Sequence, residues 1–463
     1  MKKEITTRMF FLLLSKLLPL IGQLLIIFIF SRQLSYDDYG SYQSIWLYMN
    51  ILSVIGLFGL PALLLSTSLK NIVDWIKGNR RTAIPVLLLL NLLPVVYLIT
   101  IVQHFSICVK CLLLFVIIFQ NISIIIESLA IKNEREKNVV FSNIIFSALF
   151  FVWHLYVLNS GFSLEKLLPG LLLLYVLKSC LLFHKKIFNL SIPTLIITPN
   201  IIGNQWFYLG INDVLGVLFK WLDKWVILLM LTATQFAIYF NGAYEIPIFA
   251  LMVSAVGSIM LVELSKPSDN FSERASTTFK STSLLLASVV FPAFCFLLFF
   301  NQDFFIFFFG VKYTASIPVF IISIFILPVR IANYTAVLQV LHRNDLIVKG
   351  AVLDICIAIV MMLILYPILH ERGIALAFVI STYLQVAYYL WHTGKLLKKK
   401  IYTFFPLQKL ALIMLFSLIT MLSSRYALIL LSPLNKIMAG ALICSIIILL
   451  LLLYHFKVDK KSV

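Results

Sequence analysis

Long apolar runs alternate with short polar segments over the whole chain, and this pattern predicts membrane-spanning helices. Most runs have about 18–25 residues, and a helix needs about 20 residues to cross the hydrocarbon layer of a bilayer. The runs are continuous rather than alternating, which favours helices over the strands of a barrel. We predict fourteen spans, at residues 9–30, 43–67, 83–103, 107–131, 139–158, 164–183, 203–231, 241–262, 281–300, 315–341, 347–369, 374–394, 405–424 and 436–454.

Composition agrees with this pattern and excludes a soluble globular protein. Hydrophobic residues make up 62% of the chain and charged residues 12%, whereas soluble domains are nearer ~45–50% apolar. The six cysteines all fall in apolar runs, so we expect small core residues rather than a disulfide framework. The one CxxC pair, Cys108 and Cys111, lacks a second pair or partner histidines, and we expect no metal site and no cofactor.

The net charge of +18 reflects topology rather than a nucleic-acid partner. Most Lys and Arg lie in short segments on the side of the N-terminus, which the positive-inside rule assigns to the cytoplasm. An even number of spans returns the chain to that side. We therefore predict a multi-pass protein of the cell inner (cytoplasmic) membrane with both termini cytoplasmic, in which runs such as 398–400 lie near anionic lipid headgroups.

The seventh predicted span, residues 203–231, carries charges that need a partner or a cavity. A lipid-facing lysine at membrane depth costs about 3 kcal/mol or more, so these side chains are expected to face water or one another. Lys220 and Lys224 are one turn apart on one face, and Asp223 is spaced to pair with Lys220. The alternative is that the Lys-Trp-Leu-Asp-Lys-Trp segment forms an interfacial belt with its tryptophans among the headgroups.

Two short strings recur along the chain and indicate an internal repeat. Residues 34–42 align with 231–239 at an offset of 197, and 131–135 align with 341–345. Spans 1 to 6 and 7 to 12 are therefore predicted to be two copies of one bundle. The expected domains are an N-terminal lobe at 1–186, a C-terminal lobe at 187–398, and spans 13 and 14 with a cytoplasmic tail at 399–463.

These features together resemble a known family. The Leu-Ser-x-x-x-Tyr-Gly-x-Tyr string at 34–42, Asp223 in its charged segment, and Phe-Gly-Val-Lys-Tyr at 309–313 are similar to motifs of O-antigen and capsule repeat-unit flippases. These are polysaccharide exporters of the multidrug/oligosaccharidyl-lipid/polysaccharide superfamily. The resemblance implies an all-α, MATE-like polytopic fold of about 14 transmembrane helices, in two six-helix lobes plus two extra C-terminal helices. It also implies a flippase for an undecaprenyl-diphosphate-linked oligosaccharide, with a polysaccharide polymerase or ligase as a possible partner.

A lipid diphosphate crosses a medium of low dielectric, so the cavity of such a transporter is expected to present cations, with Arg best suited to phosphate. The candidates for substrate binding are Arg330, Lys220, Lys224 and Lys16. Internal ion pairing and snorkelling to the headgroups are the alternatives. Lys16, about two turns from the cytoplasmic end of its span, is the most suited to snorkelling.

Carboxylates at membrane depth are candidates to bind a coupling Na⁺ or H⁺. In lipid II flippases of the same superfamily, acids on spans 7 and 11 and a hydroxyl on span 12 bind sodium. The resemblance implies that Asp223, Asp354 and Thr382 have these sodium-binding roles. Glu127, by contrast, is expected to pair locally with Lys132 or Arg135.

Two other classes of function are weaker matches. A membrane-embedded glycosyltransferase or polymerase needs an acidic constellation on a sizeable outer loop, and the predicted outer loops near 33–42 and 233–240 are short, so we expect no enzyme. A cation-coupled multidrug antiporter of the same fold would favour an acidic cavity. That alternative stays open, because Asp213, Asp223 and Asp354 nearly balance the four basic candidates.

Overall fold

The computed structural model describes residues 19–67, 69–133, 135–183, 199–264, 270–341 and 343–461, with the backbone alone at 199–201, 258, 262 and 455–461. The secondary structure of these ranges is entirely helical. Packing divides the chain into two compact units, Met1–Ala237 and Ile238–Val463. The helices of the first unit are α1 (Pro19–Gln33), α2 (Tyr36–Leu57), α3 (Leu60–Ser66), α4 (Leu69–Gly78), α5 (Arg80–Thr100), α6 (Ile107–Lys132), α7 (Glu136–Asn159), α8 (Leu164–Leu182) and α9 (Pro199–Met230).

The next helix, α10 (Ala233–Gly242), crosses the boundary between the units. The helices of the second unit are α11 (Pro247–Leu264), α12 (Phe271–Phe299), α13 (Asn301–Phe309), α14 (Ile317–Ser323), α15 (Ala336–Val340), α16 (Asn344–Leu369), α17 (Glu371–Leu397), α18 (Ile401–Phe404), α19 (Leu407–Ala427) and α20 (Pro433–Lys461). Two 3₁₀ segments, Val311–Ser316 and Ile324–Val329, flank α14.

The prediction of an all-helical, multi-pass membrane protein is confirmed. Nine helices in the described ranges are long and apolar enough to cross a membrane, or eleven if each of two bent helix pairs is one span. Helices α8 and α9 also reach spanning length, but they carry three and four charged residues, respectively. The total of fourteen spans stays a prediction.

By packing, α9 belongs to the first unit. It contacts α2, α3 and α4, and its Trp206 ring lies 5.5 Å from that of Trp75 and 5.9 Å from that of Phe58. The division read from the sequence instead places this helix at the start of the lobe at 187–398. The two units are defined by packing, whereas the predicted lobes are defined by internal repetition. The lobe boundaries therefore remain a prediction.

The second predicted span is bent by 50° between α2 and α3. Phe58 and Gly59 have φ angles of 38° and 74°, in the left-handed region that glycine tolerates and other residues rarely adopt. A Cβ on Gly59 would lie 2.4 Å from the backbone nitrogen of Gly210 in α9. The bend therefore packs directly on the helix that carries the charged segment.

The repeated string starts a helix in both places where it occurs. Ser35 caps α2: its hydroxyl accepts from the N–H of Asp38 at 3.0 Å and donates to the Asp38 carboxylate at 2.6 Å. Thr232, 197 residues later, accepts from the N–H of Gln235 at 3.3 Å and donates to its side-chain oxygen at 3.1 Å. The Thr232 N–H also donates to the Gln235 side-chain oxygen at 3.2 Å, which completes a capping box, whereas Ser35 is a simple N-cap. The expectation of outer loops at these positions is wrong, because most of their residues form the first turns of α2 and α10.

The tenth predicted span, 315–341, is not one helix. After α14 and the 3₁₀ segment Ile324–Val329, residues 330–335 are non-helical before α15. Pro328 has no N–H for a continuous helix and restricts the residue before it. The break places Arg330 at the end of a helical segment rather than in its interior.

Candidate substrate and ion site

Two breaks in the helices of the second unit bring opposite charges together. Arg330 follows its 3₁₀ segment, and Glu245 lies in the turn between α10 and α11. Nη2 of Arg330 donates to Oε1 of Glu245 at 2.6 Å, and the two side chains are 28% and 29% exposed. The Nε atom of Arg330 is buried and has no hydrogen-bond partner within the described part of the chain. The guanidinium therefore keeps donor capacity beyond its ion pair.

Glu245 is the residue of this cluster that the sequence reasoning missed. It stands among apolar residues, two positions before Pro247, where a helix cannot continue unchanged through the missing N–H. An isolated carboxylate beside a proline inside a predicted span was the available signal.

Asp354 in α16 is a second unusual group in the same unit. It is fully buried, and neither of its carboxylate oxygens has a hydrogen-bond partner among the described residues. Ser381 of α17 neighbours the carboxylate, but its hydroxyl donates to the Phe378 carbonyl at 3.0 Å. The charge of Arg330 also acts on the carboxylate. Because a buried anion without hydrogen bonds is costly, this geometry suits the binding of a proton or a small cation.

Close packing of α16 on α17 fixes the surroundings of Asp354. A Cβ on Gly350, one turn earlier, would lie 2.3 Å from Cε1 of Tyr389. The Tyr389 hydroxyl donates to the Ile347 carbonyl at 3.0 Å, and Gln385 donates to the Gly350 carbonyl at 3.4 Å. Glycine at 350 is therefore required for the helices to approach so closely beside the carboxylate.

The predicted coupling residues fall in both units. Asp354 and Thr382 lie in the second unit, and Asp223 lies in the first. The Thr382 hydroxyl donates to the Phe378 carbonyl of its own helix at 2.8 Å. The hydroxyl that neighbours Asp354 belongs to Ser381, which the sequence did not single out. The role assigned to Thr382 thus stays a prediction.

The charged segment of the first unit lies in the continuous helix α9. Asp223 and Lys224 are 2% and 8% exposed, and Nζ of Lys224 lies 3.2 Å from Oδ2 of Asp223. Nζ of Lys220 and Nζ of Lys224 lie 5.4 and 5.9 Å from the centre of the Trp221 ring. Asp223 therefore has a cationic partner in its own sequence neighbour, which spacing along a helix face did not predict.

The remaining site predictions have mixed outcomes. Lys16 lies outside the described residues. Nε1 of Trp225 donates to the hydroxyl of Tyr97 at 2.6 Å, so this tryptophan has a protein partner. The expectation for Glu127 is wrong: it pairs with Lys178 of α8 at 2.7 Å. Local spacing missed this pair because it joins two helices.

No protein-family model matches the sequence, and no curated protein is similar to it in sequence. Solved structures of two transporters are similar in fold. The lipid II flippase MurJ, in an inward closed conformation, matches with a TM-score of 0.62 and 16% identity over 95% of this chain and 98% of that chain. MATE in the bent conformation matches with a TM-score of 0.51 and 14% identity over 87% of this chain and 95% of that chain.

The chain has the fold of these transporters. The predicted MATE-like architecture is thus confirmed, and the match to MurJ extends over nearly the whole chain. At 14–16% identity the likeness concerns the fold alone, so substrate and coupling have to be argued from the residues.

Proposed function

We propose that the protein is a flippase that moves an undecaprenyl-diphosphate-linked oligosaccharide from the inner to the outer leaflet of the cytoplasmic membrane, for surface polysaccharide biosynthesis. Its fold is similar to that of a lipid II flippase, which supports a lipid-linked substrate. The observation that carries the proposal is Arg330, a partly exposed guanidinium with a single ion pair among the described residues, at a break inside a spanning segment.

Arg330 binds the diphosphate in this proposal, and Lys220, Lys224 and Lys16 add positive charge. A guanidinium presents paired donors that match two phosphate oxygens. Without substrate, Glu245 compensates the charge of Arg330, and an arriving diphosphate competes with it. Because both side chains are partly exposed, exchanging one anion for the other has a limited desolvation cost.

Asp354, with Asp223 and Thr382, couples transport to a gradient of Na⁺ or H⁺. A ligand shifts a conformational equilibrium only if it binds the two states with different affinity. A buried carboxylate without hydrogen bonds meets this condition if it gains a cation or proton in one state. The cycle then proceeds by alternating access, with both termini in the cytoplasm and a polysaccharide polymerase or ligase acting on the product.

The test is translocation in vesicles that contain the purified protein and a fluorescent oligosaccharide on polyprenyl diphosphate. An impermeant quencher reports the fraction of substrate in the outer leaflet over time. We expect faster translocation than in empty vesicles, and much slower translocation with Arg330→Ala. Movement of cationic dyes without movement of the lipid would favour the multidrug antiporter. In cells, loss of the gene is expected to remove the surface glycan and leave drug tolerance unchanged.

A further inference from the structure

A basic pocket lies at the end of α17, where the chain turns into α18. Its volume is about 620 Å³, within the range of roughly 300–1,000 Å³ typical of small-ligand sites. The charge distribution of the sequence predicts that this end of α17 is cytoplasmic. Four lysines and two aromatic residues contribute to its lining: Lys395, Lys398, Lys399, Lys400, Trp391 and Tyr402.

The backbone of this pocket is held in place from several sides. Lys398 has a φ angle of 54°, and the turn brings the Lys399 carbonyl within 2.9 Å of where a Cβ on Gly394 would lie. The Ser272 hydroxyl donates to the Leu397 carbonyl at 2.9 Å. Just beyond the turn, Phe404 is fully buried. The lysines are thus presented by a fixed turn rather than by a loose tail.

The four lysines differ in whether a carboxylate of the protein compensates their charge. Nζ of Lys399 pairs with Glu273 at 2.5 Å and donates to Ser276 at 3.0 Å. Lys395, Lys398 and Lys400 have no carboxylate partner within the described ranges. Their three charges therefore make the pocket attractive to an anion.

The exposed aromatic side chains of this pocket are typical of a membrane surface. Trp391 and Tyr402 are 56% and 63% exposed, as expected of rings at the boundary between lipid and water. Nζ of Lys395 lies 5.4 Å from the Trp391 ring centre, and Nζ of Lys400 lies 5.9 Å from that of Tyr402. Each ring thus holds an ammonium group close to its own face.

We propose that this pocket binds the phosphate headgroup of an anionic phospholipid of the bilayer. Three ammonium groups attract the phosphate, and the exposed rings contact the glycerol and the upper acyl chains. The carbonyls of Gly394, Lys395 and Leu397 are bonded within the protein, so few free carbonyls of the helix end oppose the anion. This site is independent of the proposed transport cycle.

The test uses the purified full-length protein in neutral detergent, titrated with phosphatidylglycerol or phosphatidylcholine whose acyl chains carry bromine. Trp391 lies six residues before the end of α17, about 9 Å along the helix, within reach of brominated chains. The quenching of Trp391 is obtained by subtracting the fluorescence quenching of Trp391→Phe from that of the wild type. We expect half-maximal quenching at an approximately tenfold lower mole fraction of phosphatidylglycerol than of phosphatidylcholine.

Replacing three lysines together, Lys395→Gln/Lys398→Gln/Lys400→Gln, is expected to abolish this preference. The control Lys70→Gln/Lys77→Gln/Arg80→Gln removes the same charge elsewhere on the predicted cytoplasmic side and is expected to keep the preference. If the first variant does not fold, Lys398→Glu alone is expected to weaken it.

Three results would overturn the proposal. One is equal quenching by the two lipids in the wild type, and another is an equal loss in the control variant. The third is displacement of brominated phosphatidylglycerol by soluble glycerophosphate at the same concentration as by unlabelled phosphatidylglycerol, because the phosphate alone would then account for binding.

Discussion

Charged side chains inside the spanning segments are compensated differently in the two units. In the first unit, Asp223 and Lys224 are adjacent in a continuous helix, and their side chains pair with each other. In the second unit, Arg330 and Glu245 meet across 85 residues of sequence from two helix breaks, and Asp354 is buried without a hydrogen bond from the described residues. Pairing between neighbours requires no irregular backbone. Broken helices and a carboxylate without hydrogen bonds from the described residues add cost without stabilising the fold. We therefore assign the main roles in substrate binding and coupling to the second arrangement, and supporting roles to Lys220, Lys224 and Asp223.

The largest effect is expected when one member of the buried pair in the first unit is removed. Lys224→Gln leaves the Asp223 carboxylate buried without this cation, which typically costs about 3–5 kcal/mol of stability. Asp223→Asn is expected to cost a similar amount. The double variant is expected to be close to the wild type, because no buried charge of the pair is left over.

Thermal unfolding of the purified protein in detergent measures these differences. The control is Lys77→Gln, an exposed lysine of the same unit, which is expected to change stability by less than about 0.5 kcal/mol. Single variants as stable as this control would show that the pair is dispensable to the first unit.

The next effect concerns substrate affinity in the second unit. Arg330→Ala removes a charge-assisted contact worth about 1.5–3 kcal/mol, which corresponds to roughly 10- to 150-fold weaker binding of a polyprenyl diphosphate. Arg330→Lys is expected to rescue binding only in part, since it keeps the charge and loses the planar pair of donors. Binding to the purified variants measures both changes.

A double variant separates this role from a structural one. If Arg330 mainly compensates Glu245, then Arg330→Ala/Glu245→Gln restores stability, and with it any binding lost through misfolding. If Arg330 binds the diphosphate, the double variant stays as weak as Arg330→Ala. Glu245→Gln alone is expected to keep or strengthen binding, because it removes the competing anion.

A third prediction tests the bend that packs on the charged helix of the first unit. Gly59→Ala forces a side chain into a left-handed conformation and against the backbone of Gly210, with an expected cost of about 1–3 kcal/mol. In Gly216→Ala of α9, the new Cβ would have no described atom of another segment within 4 Å, and the substitution is expected to stabilise slightly, by about 0.5–1 kcal/mol. Thermal unfolding that ranks the two alike would mean that the bend is not constrained by α9.

The sequence predicted helices well where apolar length alone decides the outcome. The fourth predicted span, 107–131, agrees within one residue with α6, Ile107–Lys132. The positions of helix breaks were harder to predict from the sequence. The bend at Gly59, for example, packs on Gly210, more than a hundred residues away. The repeated string was found by similarity, but its physical role as a pair of helix caps required the hydrogen bonds of Ser35 and Thr232.

The candidate site was predicted only in part, because a contact between distant segments leaves no local pattern. Arg330 and Asp354 could be singled out as charges in apolar runs. The partner of Arg330 is 85 residues away, and the absence of hydrogen bonds from the described residues to Asp354 depends on the packing of α16 on α17. The periodicity of apolar residues along the chain gives no information on the partner of Arg330 or on the surroundings of Asp354.

Asp354→Asn is expected to change stability least, and it tests most directly whether the charges of the two units have different roles. The same substitution at Asp223 breaks an ion pair, whereas at Asp354 it replaces a carboxylate that accepts no hydrogen bond from the described residues by a neutral group of the same shape. We therefore expect a change in stability below about 1 kcal/mol, together with slower translocation that no longer responds to an imposed Na⁺ or H⁺ gradient. Measuring unfolding and gradient-driven transport on the same preparation distinguishes the possible roles. Full gradient dependence in Asp354→Asn would remove Asp354 from the coupling site, and a stability loss as large as that of Asp223→Asn would show that it supports the fold instead.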